Sequence, residues 1–493
     1  MADSGRAGPD APEPRPRRLI PLLLCAIALV VGIGWALATG PLNGPDESAH
    51  VAYVQHLAEA GDGPSRDTGH RPYSSQLDGL MTGGSFGPMV GHAEARPPWS
   101  ALADLNRALG ALPGSARSDG DGPNPLASNP PLYYAYEAVA YHLSPSANPL
   151  NRLLVLRLAN VALFVATVAL SWLLAMELFS ALWPCVLTAG LVALQPKLGF
   201  MAGVVNSDTL LVTIATAFLV LSVRLVRRGP SLLRVVGVGA LAAAGPMVHG
   251  RGFFLLPAGI VALAVGLWPV RREIRRSLTL AGCAVALMLI GVAIGFFWTR
   301  AHTGGSAFGG ELGTAASGSG NVRQFLSYVW QFYFRPLSFM QPTLGPPYGY
   351  RQLYIETFFG TFGSLEVLYE GWVFDMLQLA AALGLAALGA AVLVRWQSVR
   401  RNARVVAIFA ATFVSMIGLL HVAAYRHLVQ GSLDPLVTGR YLLPCVALYA
   451  TAVAWTLAAI GRRAGPWLAA ALLAVSLLLT ISGIGLTAWR FGA

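Results

Sequence analysis

The feature that most constrains this chain is a repeated run of apolar residues too long for the core of a water-soluble domain. The first is "LIPLLLCAIALVVGIGWALATG", residues 19–40, and comparable runs recur to the C-terminus. A helix needs roughly 20 apolar residues to cross about 30 Å of hydrocarbon. Runs of that kind begin near residues 19, 153, 182, 208, 232, 253, 278, 374, 404, 441 and 467. We read them as about eleven spans of about 18 to 26 residues. A hydrophobic share of 55% beside only 12% charged residues excludes a soluble globular fold. The expected class is an all-α polytopic membrane protein of about eleven transmembrane helices.

A net charge of +11 could suggest a nucleic-acid partner, but the arginines gather in short clusters between the apolar runs. The clusters are Arg15, Arg17 and Arg18; Arg224, Arg227, Arg228 and Arg234; Arg271, Arg272, Arg275 and Arg276; Arg395, Arg400, Arg401 and Arg404; and Arg462 and Arg463. With one crossing between successive loops, every cluster falls on the same side, which the positive-inside rule makes the cytoplasm. The partner this implies is the bilayer, not nucleic acid. The N-terminus is then cytoplasmic and the C-terminus external, in a plasma (inner) membrane.

The expected organisation is a cytoplasmic tail (1–18), a first transmembrane helix (19–40), a first extracytoplasmic loop with an acidic motif (41–150), transmembrane helices 2–7 (151–299), a second extracytoplasmic loop (300–372) and transmembrane helices 8–11 (373–493). The N-terminal run mimics a signal peptide, with Ala36-Leu37-Ala38 as a cleavage-like site. Its apolar length of about 20 residues exceeds a typical signal core, which favours a retained helix. The four cysteines, Cys25, Cys185, Cys283 and Cys445, each lie inside an apolar run without C-x-x-C spacing, and so read as small buried hydrophobes.

Both long polar segments fall on the outer side. In the first, stretches such as "SARSDGDGPNP" read as flexible loop, whereas Pro45 to Ala60 reads as a short helix. Asn43 or Gly44 can cap it, Pro45 suits its first position, and Asp46 and Glu47 suit its first turn, where the helix dipole favours negative charge. On such a helix Asp46, His50 and Tyr53 share one face. The second segment, "FLSYVWQFYFRPLSFM", reads as an interfacial helix with Trp330, Tyr333 and Phe334 at headgroup depth.

Further polar residues gather where spans meet the outer boundary. Lys197 in "LQPKLGF" is the only lysine of the chain; Asn206 and Asp208 open one span in "VVNSDTLL"; His249 and Arg251 lie in "MVHGRGFF"; Arg440 and Tyr441 lie in "TGRYLLP". Each has an ordinary explanation as a cap or a snorkelling cation. Together they form a belt of acids and cations suited to an anionic, lipid-borne substrate. A sugar on a lipid phosphate needs cations for the leaving phosphate and a carboxylate for the proton of the attacking hydroxyl. Arginine supplies bidentate phosphate contacts and lysine a point charge.

Asp-Glu just after the first span, "NPPLYYAYEAVAYHL" before the second, the large first outer loop and the span count together resemble the GT-C superfamily of polyprenyl-phosphate-sugar-dependent glycosyltransferases. Within it, "GPDESAHVAYVQHL", "GVVNSDTL" and "TGRYLLP" are most similar to a bacterial family that reads P-D-E near the N-terminus and Q-G-R-Y near the C-terminus. The resemblance implies an inverting transfer from a polyprenyl-phosphate-sugar to an acceptor glycan, lipid or protein. It implies Asp46 as the catalytic acid with Glu47 as its neighbour, in general-base or acceptor-orienting work; the belt itself offers Lys197, Arg251 and Arg440 for the donor phosphate, with His50, Tyr53, Asn206, Asp208, His249 and Tyr441 in support. Some members of the superfamily hold a divalent metal at the acidic motif, which leaves a metal at Asp46 and Glu47 open, although adjacent residues splay about 100° apart on a helix. Two departures stand out: Thr438 replaces the usual Gln, and Asn129 precedes the Pro-Pro pair where relatives often carry His or Lys. Competing classes are a transporter, flippase or polymer ligase for lipid-linked glycans, and a non-catalytic protein of the same fold. Transport is disfavoured by the scarcity of charge at mid-span, Glu177 lying nearer the cytoplasmic end.

Overall fold

A computed structural model describes residues 15–84, 99–303, 321–343, 349–429, 437–461 and 463–491, with the side chains of 15–18 and 99–101 excepted. The cluster arginines Arg15, Arg17, Arg18 and Arg462 are therefore outside the described side chains.

The protein is an all-α polytopic membrane protein. Among the described residues, nine helices are long and apolar enough to cross a membrane: Leu19–Ala38, Pro149–Leu178, Asp208–Arg228, Gly250–Val270, Ile274–His302, Gly371–Val394, Ala403–Val429, Gly439–Ile460 and Ala464–Phe491. The pair Leu182–Ala193 and Pro196–Ala202, bent by 54° at its break, is together apolar and long enough to be a tenth, either as a broken span or as a re-entrant loop. The apolar helix Leu232–Val248 occupies the place of the remaining run read from the sequence, and at 17 residues it is shorter than the others. The bend has a local cause, because Pro196 lacks an amide hydrogen and disfavours helical backbone at the residue before it. Gln195 mends the break: its side-chain oxygen accepts from the Leu198 amide, and its Nε2 donates to the Phe358 carbonyl at 2.6 Å.

Two polar layers mark the ends of the bundle. At one end of Asp208–Arg228, Asp208 pairs with Arg251; at the other, Glu177 pairs with Arg224 at 2.8 Å and with Arg228. On this helix Arg224 and Arg228 lie four and a half to five and a half turns beyond Asp208, which sets the layers about 24–30 Å apart, close to the thickness of a bilayer core.

The described residues between the first two long spans include the helices Glu47–Ala60, Ser75–Gly83, Trp99–Gly110, Ser115–Ser118 and Leu132–Leu143. The stretch expected to be flexible, "SARSDGDGPNP", is pinned instead. Asp119 accepts from the Ser75 amide at 2.8 Å and Asp121 from the His70 amide at 2.7 Å. The expected aromatic helix forms at Val322–Tyr333. Trp330 and Phe334 are exposed on it, but Tyr333 turns its hydroxyl to His421, 2.8 Å away, because that imidazole offers a buried partner.

Candidate active site

The loop after the first span folds around Glu47. The helix begins there, two residues later than the sequence suggests, and neither Asn43 nor Gly44 caps it. Asp46 is the N-cap residue, with φ 57° and ψ 16°, a left-handed backbone. That conformation costs a non-glycine residue about 1 kcal/mol, and Asp tolerates it better than most. It also throws the side chain clear of the helix amides, so the carboxylate caps nothing. Gly44 must be small, since a Cβ there would stand 2.7 Å from Val204.

Glu47, next in sequence, is fully buried. Its two oxygens receive Arg157 Nε and Nη2, both at 2.8 Å, the Gly44 amide at 3.1 Å and the Val205 amide at 3.0 Å. Arg157 also donates to the carbonyls of Ala36, Thr39 and Gly40 at the end of the first span. The expectation of Glu47 as a catalytic partner or metal ligand therefore meets a carboxylate whose lone pairs are already committed. A two-carboxylate metal site does not fit these residues, and the described residues hold no group of three or more His, Cys, Asp or Glu arranged for a metal.

Asp46, by contrast, keeps a side chain that is 58% exposed, with Arg440 Nη2 at 3.5 Å from Oδ2. Arg440 in turn lies 3.9 Å from Asp208, and Asp208 Oδ1 accepts from Arg251 Nη2 at 2.7 Å. Both guanidiniums lie over Tyr441, Arg251 at 3.8 Å from the ring centroid and Arg440 at 5.2 Å. His249 accepts the Arg251 amide at 3.1 Å. Asn206 ties the acids together, donating to the Pro45 carbonyl at 3.1 Å and accepting from the Asp208 amide at 2.9 Å.

Backbone sets this charge pattern. Three spans, Asp208–Arg228, Gly250–Val270 and Gly439–Ile460, present their N-termini here. Arg251 and Arg440 sit in the opening 3₁₀ turns of the latter two. A helix dipole disfavours cations at that end, so the buried Arg251 and the mostly buried Arg440 concentrate positive potential there that one buried carboxylate, Asp208, offsets only in part.

His50 is buried behind Asp46, and its Nδ1 lies 3.1 Å from the Tyr134 hydroxyl. Burial pushes its imidazole down to about 4, against the opposing pull of Asp46 and Asp208. Tyr53 does not join it as the shared helix face suggests. The Tyr53 hydroxyl donates to the Asn129 carbonyl at 3.0 Å and accepts from Trp298 Nε1 at 2.9 Å, while its ring stacks on Tyr134 at 3.6 Å. Asn129 itself donates to Tyr134 at 3.1 Å, a packing role. Lys197 is also displaced from expectation: it is buried with its ammonium on the Thr361 carbonyl and 4.7 Å from the Phe200 ring.

The family model for DUF2142, described as a predicted membrane protein, matches residues 29–449, a stretch that includes every residue of this cluster. The chain belongs to the DUF2142 family. No curated protein matches this family member's sequence. Two solved structures of ArnT from Cupriavidus metallidurans are similar to it. The complex with undecaprenyl phosphate shares 15% identity at a TM-score of 0.41, covering 89% of this chain and 60% of that one. The apo state shares 15% identity at 0.44, covering 97% and 75%. The DUF2142 chain thus spans about 60% of the length of the first of these.

Sequence reasoning missed Arg157 and Tyr134 in this DUF2142 protein. Arg157 carried a usable signal: an arginine well inside the apolar run 149–178, on the side where positive-inside logic places none. Tyr134 carried none, being one of several aromatic residues in "PPLYYAYEAVAYHL".

Proposed function

We propose that this protein is a GT-C-type membrane glycosyltransferase that moves a sugar from a polyprenyl-phosphate donor to an extracytoplasmic acceptor, with inversion. The observation that carries the proposal is one exposed carboxylate, Asp46, set at the rim of a cluster of two arginines and three helix N-termini. Helix N-termini and arginine forks both favour a phosphate. In this reading eleven crossings put the cluster on the outer face of the plasma membrane, at the level where a lipid carrier presents its headgroup.

Asp46 takes the proton of the acceptor hydroxyl as that oxygen attacks the anomeric carbon. The bond from that carbon to the phosphate oxygen breaks, and the charge growing on the departing polyprenyl phosphate falls to Arg440 and Arg251. Asp208 holds both guanidiniums in place, Tyr441 supports them from below, and Asn206 fixes the backbone next to Asp46. Buried neutral, His50 keeps a second cation away from the base. Lys197 leaves the phosphate set and becomes a brace for the Thr361 backbone, and Glu47 becomes the anchor of the loop.

The test compares envelope glycans and lipid-linked sugars in a deletion strain complemented with wild type or Asp46→Asn. Loss of a general base lowers transfer by about 10²–10⁴-fold, so the Asn strain should accumulate the lipid-linked donor as the deletion does. A correctly inserted Asp46→Asn protein with full transfer activity refutes the assignment.

A further inference from the structure

A second buried cluster lies beside the site. His421, on the helix Ala403–Val429, is buried among three tyrosines from two other elements. Its Nδ1 lies 3.0 Å from the Tyr328 hydroxyl, and its Nε2 lies 2.8 Å from that of Tyr333 and 3.4 Å from that of Tyr354. A neutral imidazole has one donor and one acceptor nitrogen, so hydroxyls on both sides are satisfied together. Tyr328 and Tyr333 belong to the helix Val322–Tyr333, and Tyr354 to the π-helical turn Arg351–Glu356.

The chain after Tyr354 runs directly behind the arginine cluster. A Cβ placed on Gly439 would stand 2.4 Å from the Tyr354 carbonyl oxygen and 2.6 Å from the Phe358 nitrogen. Only glycine lets these backbones touch, and the residue after it is Arg440. The same strap accepts Gln195 at the Phe358 carbonyl and Lys197 at the Thr361 carbonyl. Glycine in "TGRYLLP" is thus explained by close approach, and the strap is the wall against which Arg440 is set.

We propose that His421 is a positioning residue: by tying the helix Val322–Tyr333 to the strap 354–361, it holds the Gly439–Arg440 backbone where Arg440 can reach both Asp46 and Asp208. The ligand arm of the test rests on the proposed phosphate role of Arg440; the exchange arm does not.

Hydrogen exchange on the full chain in lipid nanodiscs reads the coupling itself. His421→Ala should speed exchange of the amides of residues 439–443 by about tenfold or more through local opening, leave Asp46–Ala60 unchanged, and be reversed by His421→Gln, which retains one donor and one acceptor. A rise confined to Val322–Tyr333 overturns the proposal, because the junction would then hold only its own helix. In the same nanodiscs, titrated undecaprenyl phosphate should bind about tenfold more weakly to Arg440→Ala and about three- to tenfold more weakly to His421→Ala, with a double variant no weaker than Arg440→Ala alone, since residues acting through one contact are non-additive. Additive losses overturn the proposal. If Arg440→Ala binds as wild type, the phosphate reading of the site fails, and the exchange result still decides the junction.

Discussion

Asp46 and Glu47 are neighbours in sequence and opposites in setting. Glu47 is sealed from solvent with four donors on its two oxygens; Asp46 is more than half exposed with one contact at 3.5 Å. A single peptide bond separates an anchored carboxylate from an exposed one because Asp46 adopts left-handed backbone, which turns the two side chains to different surroundings. An acidic pair in a sequence is therefore no measure of how many acids a site can use. Glu47 organises the loop so that Asp46 has nothing else to do.

The comparison breaks first if Glu47 can be removed cheaply. Deleting one partner of a buried, hydrogen-bonded ion pair leaves the other charge uncompensated, at a cost of about 3–5 kcal/mol. Glu47→Ala and Arg157→Ala should each lower thermal stability in nanodiscs by that order, and each should also strip the Ala36, Thr39 and Gly40 carbonyls or the Val205 amide of a fixed partner. Arg157→Lys keeps the charge but loses the fork, and should recover only part of the loss. A Glu47→Ala protein as stable as wild type would remove the distinction between the anchored carboxylate and the exposed one.

His50 gives the next largest effect. Its folded pKa, about 4, lies below the ordinary value near 6.5, so the unfolded chain binds the extra proton between those pH values. Stability therefore rises with pH from 4 to 6.5 and flattens above, by on the order of 3 kcal/mol. His50→Gln should flatten the stability profile across that window. An unchanged slope would assign the acid sensitivity to another group.

The spans were legible because apolar length is a local property that tertiary contacts hardly alter. The site was legible only in part. Asp208, Arg251 and Arg440 are brought together as expected, each being a charge at a span end where a charge is hard to place. Lys197 stood out for the same reason, yet it meets Thr361, a partner 164 residues away that no local pattern announces. The helix start failed for a similar cause: Glu47 is fixed by Arg157, 110 residues on, and by the Val205 amide. Periodicity placed Asp46, His50 and Tyr53 on one face, but it could not say that Tyr134 would slide between the last two.

The smallest predicted effect is the one that isolates function from stability. Asp46 makes one exposed ion pair, worth about 0–1 kcal/mol, and holds a left-handed backbone that glycine accepts without strain. Asp46→Asn should therefore unfold within about 1 kcal/mol of wild type, Asp46→Gly should match it or gain up to about 1 kcal/mol from relief of strain, and Asp46→Ala should lose about 1 kcal/mol because its Cβ resists that conformation. All three abolish the carboxylate, so transfer should fall alike in each while stability follows the order Gly, Asn, Ala. Thermal unfolding of the three in one nanodisc preparation decides it. Were Asp46→Gly as damaging to the fold as Glu47→Ala, Asp46 would be a second anchor, and the proton acceptor of the reaction would have to be sought elsewhere in the cluster.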